Sequence, residues 1–298
     1  MSLWGEALAL QAADGVALRA AVAQGDGRRG HVILLNGRTE YLEKYGAVVH
    51  ELVSRGFAVA SLDWRGQGGS QRLLDDRAMG HVDDFALYQR DLDTLLAHEA
   101  VASLPRPRLL LAHSMGGAIG LRWLSRPGHG VAAAVFSAPM WGVHLSFPLN
   151  RLVPPIVRLG ARMGLARRYA PGGNRVTYVL DAAEPNVLTS DPEAFAALKA
   201  FAAANPDKVL GGPSYGWLAA ALREIRALRQ VTVPVPTQLL LGTEETVVDP
   251  EAIRARAARG EAALLELPGA RHEPLIETPE HRRRLWETVD AFLGQQGL

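Results

Sequence analysis

The sequence predicts an α/β fold with a mostly parallel central sheet covered by helices on both faces. Short apolar runs with the composition of buried strands recur along the chain, and most are separated by stretches of helical periodicity. One such run ends at His113 and passes through Ser114 directly into a helical stretch that begins at Met115. In sheets of this kind, the reacting residues are expected beyond the carboxyl ends of the strands.

The predicted elements follow in order along the chain. Alternating residues at 8–11 and 16–22, separated by Ala13-Asp14-Gly15, favour an opening hairpin. The helical stretch 45–55 stops at Gly56, a common signal for a helix C-terminus. We expect further strands at 31–35, 57–62, 109–113, 131–136, 237–241 and 263–267, and further helices at 84–100, 115–125, 251–259 and 279–293.

Regular alternation stops between about residues 140 and 230, where prolines separate short helical stretches. We find no clear buried strand in this part of the sequence and interpret it as a helical insertion. The predicted organisation is therefore a core domain formed by residues 1–139 and 231–298, with residues 140–230 as a helical cap or lid.

Composition narrows the class of protein. The chain has 298 residues, of which 48% are hydrophobic and 21% charged, as in ordinary globular proteins. A net charge of +1 gives no reason to expect nucleic acid as a partner. No cysteine occurs, so disulfides and thiolate metal sites are excluded. No basic leader is present at the start and no run reaches the ~20 apolar residues of a membrane span, so we expect a cytoplasmic location.

Ser114 is the candidate nucleophile. The segment Ala112-His113-Ser114-Met115-Gly116 matches the nucleophile elbow G-x-S-x-G with alanine at its first small position. Alanine is the next smallest side chain, so the departure is mild. The alternative is an ordinary strand-to-helix turn with an incidental serine, and the rest of the chain must therefore supply a base, an acid and an oxyanion site.

His272 is the candidate base, because it follows the last predicted strand and so lies at the same sheet edge as Ser114. A serine hydroxyl needs such a base, and the base needs an acid that fixes its tautomer. The loop after the preceding strand offers Glu245 and Asp249. Asp249 precedes Pro250 and has the pattern of a helix N-cap, so Glu245 is favoured and Asp249 is the alternative acid.

Two backbone N–H groups are candidates for the oxyanion hole. One is that of Met115, the residue after the nucleophile, and the other is that of Arg38 in the turn after an early strand. Gly37 lets the backbone approach a substrate closely at that turn.

The combined motifs resemble those of α/β-hydrolases of the bacterial lysophospholipase and monoacylglycerol lipase branch, over nearly the whole chain. The resemblance rests on the residues 36–45, 63–68, 81–85, 113–117 and 211–217 and on the loops that carry Glu245 and His272. It implies the α/β-hydrolase fold with a helical cap, a catalytic triad of Ser114, Glu245 and His272, and oxyanion donors at Arg38 and Met115. Many members have His-Gly in place of Asn36-Gly37, and many have aspartate in place of Glu245.

The resemblance implies hydrolysis of carboxylic esters, most simply lysophospholipids or monoacylglycerols, through an acyl-enzyme on Ser114. No metal or organic cofactor is needed. A small-ester or thioester hydrolase with the same triad is an alternative, and a non-catalytic binding scaffold is another. Serine at position 114 argues against the branches that need a carboxylate nucleophile there, the haloalkane dehalogenases and epoxide hydrolases.

The cap sequence has two interpretations. Arginines alternate there with apolar residues: Arg151, Arg158, Arg162, Arg167 and Arg168 with Leu149, Val153, Ile156, Val157, Leu159 and Met163. In the first interpretation, the apolar side packs on the core while the arginines are solvated. In the second, the cap forms an acyl tunnel and its basic residues draw it to anionic lipid, which gives peripheral contact with the inner face of a membrane. The oligomeric state, the acyl length and the head group stay open.

Overall fold

A computed structural model describes residues 3–144, 149–182 and 185–298. Its strands are β1 (Leu8–Gln11), β2 (Ala17–Ala23), β3 (His31–Leu35), β4 (Ala58–Leu62), β5 (Arg108–His113), β6 (Val131–Ser137), β7 (Thr237–Gly242) and β8 (Ala263–Leu267). Its α-helices are α1 (Gly46–Ser54), α2 (Ala86–Ala97), α3 (Glu99–Ala102), α4 (Met115–Leu124), α5 (Leu149–Gly160), α6 (Tyr178–Asp181), α7 (Pro192–Ala204), α8 (Tyr215–Leu228), α9 (Pro250–Ala258) and α10 (Pro279–Gln295).

The strands form one sheet in the order β1-β2-β4-β3-β5-β6-β7-β8. The hairpin β1–β2 and the pair β2–β4 are antiparallel, whereas every other pair is parallel. Strands β3, β4 and β5 are buried along their whole length, because helices cover both faces of the sheet. The mostly parallel α/β-hydrolase sheet predicted from the sequence is confirmed.

Two hydrophobic clusters lie on the two faces of the sheet. One contains residues of α2, α4 and α8, among them Leu92, Leu121 and Ile225. The other contains residues of α1 and α10, among them Val49 and Leu285. The helices are thus held by apolar burial, which contributes about 25 cal/mol for each Å² removed from water.

The predicted boundaries of most strands and core helices agree with the structure within one or two residues. The helix predicted over residues 84–100 is wrong in its extent, because the backbone of His98 is extended (φ −67°, ψ 134°) and interrupts it. The His98 ring accepts a hydrogen bond from the N–H of Ala100 and so caps the separate turn α3.

Residues 149–182 and 185–228 carry α5 to α8 and, within these described ranges, no strand of the sheet. Helix α8 packs against α4 on the sheet, where Arg122 Nε donates to Glu224 Oε1 at 2.8 Å. Ala221 and Ile225 belong to the same core cluster as β5 and α4. The assignment of 140–230 to a separate cap stays a prediction, and its residues 145–148 and 183–184 lie outside the described part of the chain.

The first interpretation of the cap sequence, an apolar side packed on the core, is wrong for most of that side. Val157 is fully buried, but Ile156, Leu159 and Met163 are 51%, 59% and 71% exposed. The side chain of Leu149 lies outside the described residues. Among the helices described, none is long and apolar enough to cross a membrane.

Candidate active site

The turn between β5 and α4 holds Ser114 in a rare backbone conformation, with φ 50° and ψ −117°. Such strain concentrates at functional sites and persists only when the surroundings enforce it. Here the Ser114 N–H donates to Ser137 O at 3.0 Å, while the helix lies directly against the neighbouring strand end. A Cβ added to Gly116 would lie 2.2 Å from Leu35 O, so only glycine fits there. The geometry is that of a nucleophile elbow.

Alanine at position 112 fits the elbow because its neighbour on α4 is small. Ala112 is fully buried, and a Cβ added to Gly120 would lie 3.4 Å from the Ala112 Cβ. Two small residues, Ala112 and Gly120, therefore face each other where α4 packs against β5.

Ser114, His272 and Glu245 form a continuous hydrogen-bonded chain. His272 Nε2 lies 3.0 Å from Ser114 Oγ, and His272 Nδ1 lies 2.7 Å from Glu245 Oε2. Both distances are within the reach expected of a nucleophile, its base and the orienting acid. The three side chains come from loops at the carboxyl ends of β5, β7 and β8.

Glu245, not Asp249, contacts His272. Its other oxygen, Oε1, accepts from the N–H groups of Val247 at 2.6 Å and Val248 at 3.1 Å. Burial raises the pKa of Glu245, but the His272 ring and these N–H donors outweigh that effect and leave it below its usual value. Asp249 instead caps α9, accepting from Glu251 N–H at 3.0 Å.

The N–H groups of Arg38 and Met115 make no hydrogen bond to any described residue. Two hydrogen bonds to the backbone of Gly37 hold the loop that carries Arg38 in place. Gln67 Nε2 donates to Gly37 O at 2.8 Å, and Glu40 accepts from the N–H of Gly37. The two N–H groups are therefore unpaired donors on a rigid frame, as an oxyanion hole requires.

A buried charge network lies behind these loops. Lys44 Nζ bridges the carboxylates of Glu40 and Glu273, and Tyr45 OH donates to Glu40 at 2.5 Å. His113 places Nε2 at 3.2 Å from Glu273 Oε2 and Nδ1 at 3.0 Å from the acceptor Ser137 O. The network joins the loop that carries Arg38, the strand before Ser114 and the loop of His272.

The charged groups of the network shift one another's pKa values. Burial lowers the pKa of His113, but Glu273 and Glu40 outweigh it and leave the pKa above its usual value. Burial raises the pKa of Glu273, yet Lys44 and His113 hold it well below the usual range. Glu40, His113 and Glu273 lie close enough to hold a metal ion, but the ammonium of Lys44 already binds both carboxylates.

Sequence reasoning did not predict this network. His113 is buried like a core residue, but among charged partners. The i, i+4 spacing of Glu40 and Lys44 is the one local pattern that could have predicted an ion pair in this network. Glu273 gave no signal besides its position next to His272.

A cavity of about 380 Å³ opens at Ser114 and His272. Much of its lining is apolar and comes from the region predicted to be the cap, including Val179, Leu188 and Leu218. Its size and apolar character suit a small organic ligand. Arg38, Glu40, Lys44 and Glu273 also line it.

The fold and the arrangement around Ser114 define an α/β-hydrolase. The chain belongs to the family described as serine aminopeptidase, S33, whose model matches residues 26–279.

Relatives span most of the chain. Lysophospholipase L2 of Escherichia coli strain K12 is 34% identical over 275 residues, 88% of this chain and 79% of the relative. The probable lysophospholipase L2 of Haemophilus influenzae is 30% identical over 268 residues, 89% of this chain and 84% of the relative. A soluble variant of monoglyceride lipase from Saccharomyces cerevisiae, solved with a substrate analog, superposes with a TM-score of 0.74 over 99% of both chains, at 21% identity. That last likeness shows the fold.

Proposed function

We propose that the protein hydrolyses carboxylic esters of monoacyl lipids, lysophospholipids or monoacylglycerols, through an acyl-enzyme on Ser114. The observation that carries this proposal is the hydrogen-bonded chain from Ser114 through His272 to Glu245, which opens into an apolar cavity. The names of the relatives, lysophospholipase L2 and monoglyceride lipase, support a lipid ester as the substrate.

In the proposed reaction, His272 Nε2 accepts the proton of Ser114 Oγ as the oxygen bonds to the acyl carbon. The carbonyl oxygen becomes an oxyanion and accepts hydrogen bonds from the N–H groups of Arg38 and Met115. His272 then gives the proton to the glycerol oxygen as that C–O bond breaks. Water repeats the sequence on the acyl-enzyme, which releases the fatty acid and returns the proton to Ser114.

Glu245 fixes the tautomer of His272 in this scheme. Its Oε2 accepts from Nδ1, so Nε2 is left as the acceptor that faces Ser114. The carboxylate also stabilises the imidazolium that forms when the proton is transferred. The lowered pKa of Glu245 keeps it ionised for this role at neutral pH.

The test is a hydrolysis panel on the intact protein, with the Ser114→Ala variant as background. It comprises monoacylglycerols, lysophospholipids and nitrophenyl esters of graded acyl length, together with an aminoacyl nitroanilide. We expect cleavage of medium and long acyl esters with either head group. Cleavage of short esters or thioesters alone supports the small-ester alternative, and cleavage of the anilide alone supports the peptidase described for the family. No turnover and no labelling by a fluorophosphonate supports a binding scaffold.

We also propose that α5 and the turn after it contact an anionic lipid surface. Leu152, Ile156, Leu159 and Met163 recur at intervals of four, three and four residues, so they share one helix face, and they are 51–71% exposed. Residues 100–180 contain no Asp or Glu, whereas arginines occur throughout α5 and its neighbourhood. An apolar face within a basic segment suits an anionic bilayer.

A further inference from the structure

The side chain of Arg38 is a cation at the edge of the candidate active site, and no carboxylate among the described residues neutralises it. Arg38 is one of the residues that line the cavity at Ser114 and His272. It forms no ion pair with any described carboxylate, whereas Lys44, which also lines the cavity, is neutralised by Glu40 and Glu273. Burying a charge without a partner is costly, so such a group calls for an explanation.

The contacts of Arg38 hold the guanidinium in place without neutralising it. One terminal nitrogen, Nη2, donates to Gly211 O at 2.7 Å, and the guanidinium carbon lies 5.1 Å from the centre of the Trp217 ring. Its Nε is buried and has no hydrogen-bond partner in the part of the chain that the structure describes. A Cβ at Gly80 would lie 2.5 Å from Nη2, so glycine at position 80 makes room for the side chain.

The electrostatic surroundings agree with this geometry. Burial lowers the pKa of Arg38 to about 10, and the groups that oppose this effect are the phenols of Tyr88 and Tyr169, not a carboxylate. At neutral pH the guanidinium is still charged. An anion bound beside it would therefore gain a charge-assisted hydrogen bond.

The position of Arg38 indicates which anion that is. Its backbone N–H is the proposed oxyanion donor. The distance from its guanidinium to the reacting carbonyl is therefore about the length of one arginine side chain. In a 1-acyl lysophospholipid, the phosphate lies one glycerol backbone from the same carbonyl. The planar fork of arginine matches the oxygens of a phosphate. We propose that the Arg38 guanidinium binds the head-group phosphate of a lysophospholipid and so favours it over an uncharged monoacylglycerol.

This inference rests on the proposed function, and its test uses two substrates with one acyl chain. Hydrolysis of 1-octanoylglycerol and of 1-octanoyl-glycero-3-phosphocholine is measured below their micelle concentrations for the wild type, Arg38→Met and Arg38→Lys. We expect kcat/KM for the phospholipid, relative to the neutral ester, to fall about 10- to 100-fold in Arg38→Met. This is the effect expected from the loss of one hydrogen bond to a charged group. The fall should appear mainly in KM, and Arg38→Lys should restore part of it.

Two arms make the outcome decisive. Glycerophosphocholine should inhibit the wild type more strongly than Arg38→Met, whereas octanoate, the product anion, should inhibit both alike. Arg226→Met removes an exposed arginine outside the cavity and should leave the substrate ratio as it is. Two results would overturn the phosphate assignment while leaving ester hydrolysis intact. One is an equal loss of kcat/KM on both substrates in Arg38→Met, and the other is a change in that variant's inhibition by octanoate alone. If the wild type cleaves neither ester, the proposed function itself fails.

Discussion

At the scale of single residues, the choice between Glu245 and Asp249 depends on what each carboxylate already binds. Asp249 caps the first turn of α9, whereas Glu245 combines two backbone donors with His272. The N-cap role could be predicted from the sequence, because aspartate before proline at a helix start is a local pattern. The contact between Glu245 and His272 could not, because it joins loops that are 27 residues apart.

Exchanging these two carboxylates for neutral residues should separate their roles. In Glu245→Gln, the amide no longer stabilises the imidazolium and can hold His272 in the wrong tautomer, so we expect kcat to fall by about 10²- to 10⁴-fold. Asp249→Ala should lose about 1 kcal/mol of stability and keep kcat within a few-fold. Steady-state kinetics and thermal unfolding of both variants provide the measurement. A large kcat loss in Asp249→Ala with none in Glu245→Gln would reverse the assignment.

The buried network predicts a pH dependence of stability through His113. Its folded-state pKa lies above the unfolded value, so its contribution is fully present below pH 6.5 and is lost as the pH rises through the folded pKa. Glu273 has the opposite sign, because its lowered pKa gives stability above pH 4.5 that is lost as the pH falls.

We therefore expect His113→Gln to lower Tm more at pH 6 than at pH 9. A chain of this length shifts by about 2 °C for each kcal/mol. The measurement is a series of thermal unfolding curves from pH 5 to pH 9, with His50→Gln, a change at an exposed histidine on α1, as the matched control. A deficit in His113→Gln that does not vary with pH would mean that His113 contributes packing alone.

At the scale of elements, α5 departs from the pattern of the core helices. The core helices α1, α2, α4 and α10 place their apolar residues against the sheet, and their periodicity predicted them well. Helix α5 also has an apolar face, but much of it is exposed. Periodicity predicts that an apolar face exists and cannot tell which surface covers it.

The exposed face of α5 should determine binding to anionic vesicles. We expect the protein to sediment with phosphatidylglycerol vesicles more than with phosphatidylcholine vesicles, and less at high salt, because exposed charges are screened. Leu159→Ser combined with Met163→Ser should weaken binding about tenfold or more, given about 1.5–3 kcal/mol for each buried apolar side chain. Leu3→Ser, outside the cap region, is the control. Unchanged vesicle binding with loss of a dimer in the double variant would indicate a second copy of the chain as the occupant.

At the scale of the whole molecule, the chain order of strands and helices made the fold predictable. Most strands that pair in the sheet are consecutive in chain order, and the turn Ala112-His113-Ser114 marks the switch from strand to helix. What the sequence did not reveal depends on long-range contact: the Lys44 network, the packing of α8 against α4, and the placement of the Arg38 guanidinium beside Gly211 and Trp217. These contacts join segments that no local pattern relates.

The central claim, that Ser114 is the nucleophile of a monoacyl lipid hydrolase, is tested most directly by one comparison. Hydrolysis of a monoacylglycerol and a lysophospholipid is measured for the wild type and for Ser114→Ala, with circular dichroism as a check on the fold. Because the triad acts as a unit, we expect kcat to fall by about 10⁴-fold or more on both substrates. A folded Ser114→Ala variant that cleaves either lipid at the wild-type rate would contradict the account.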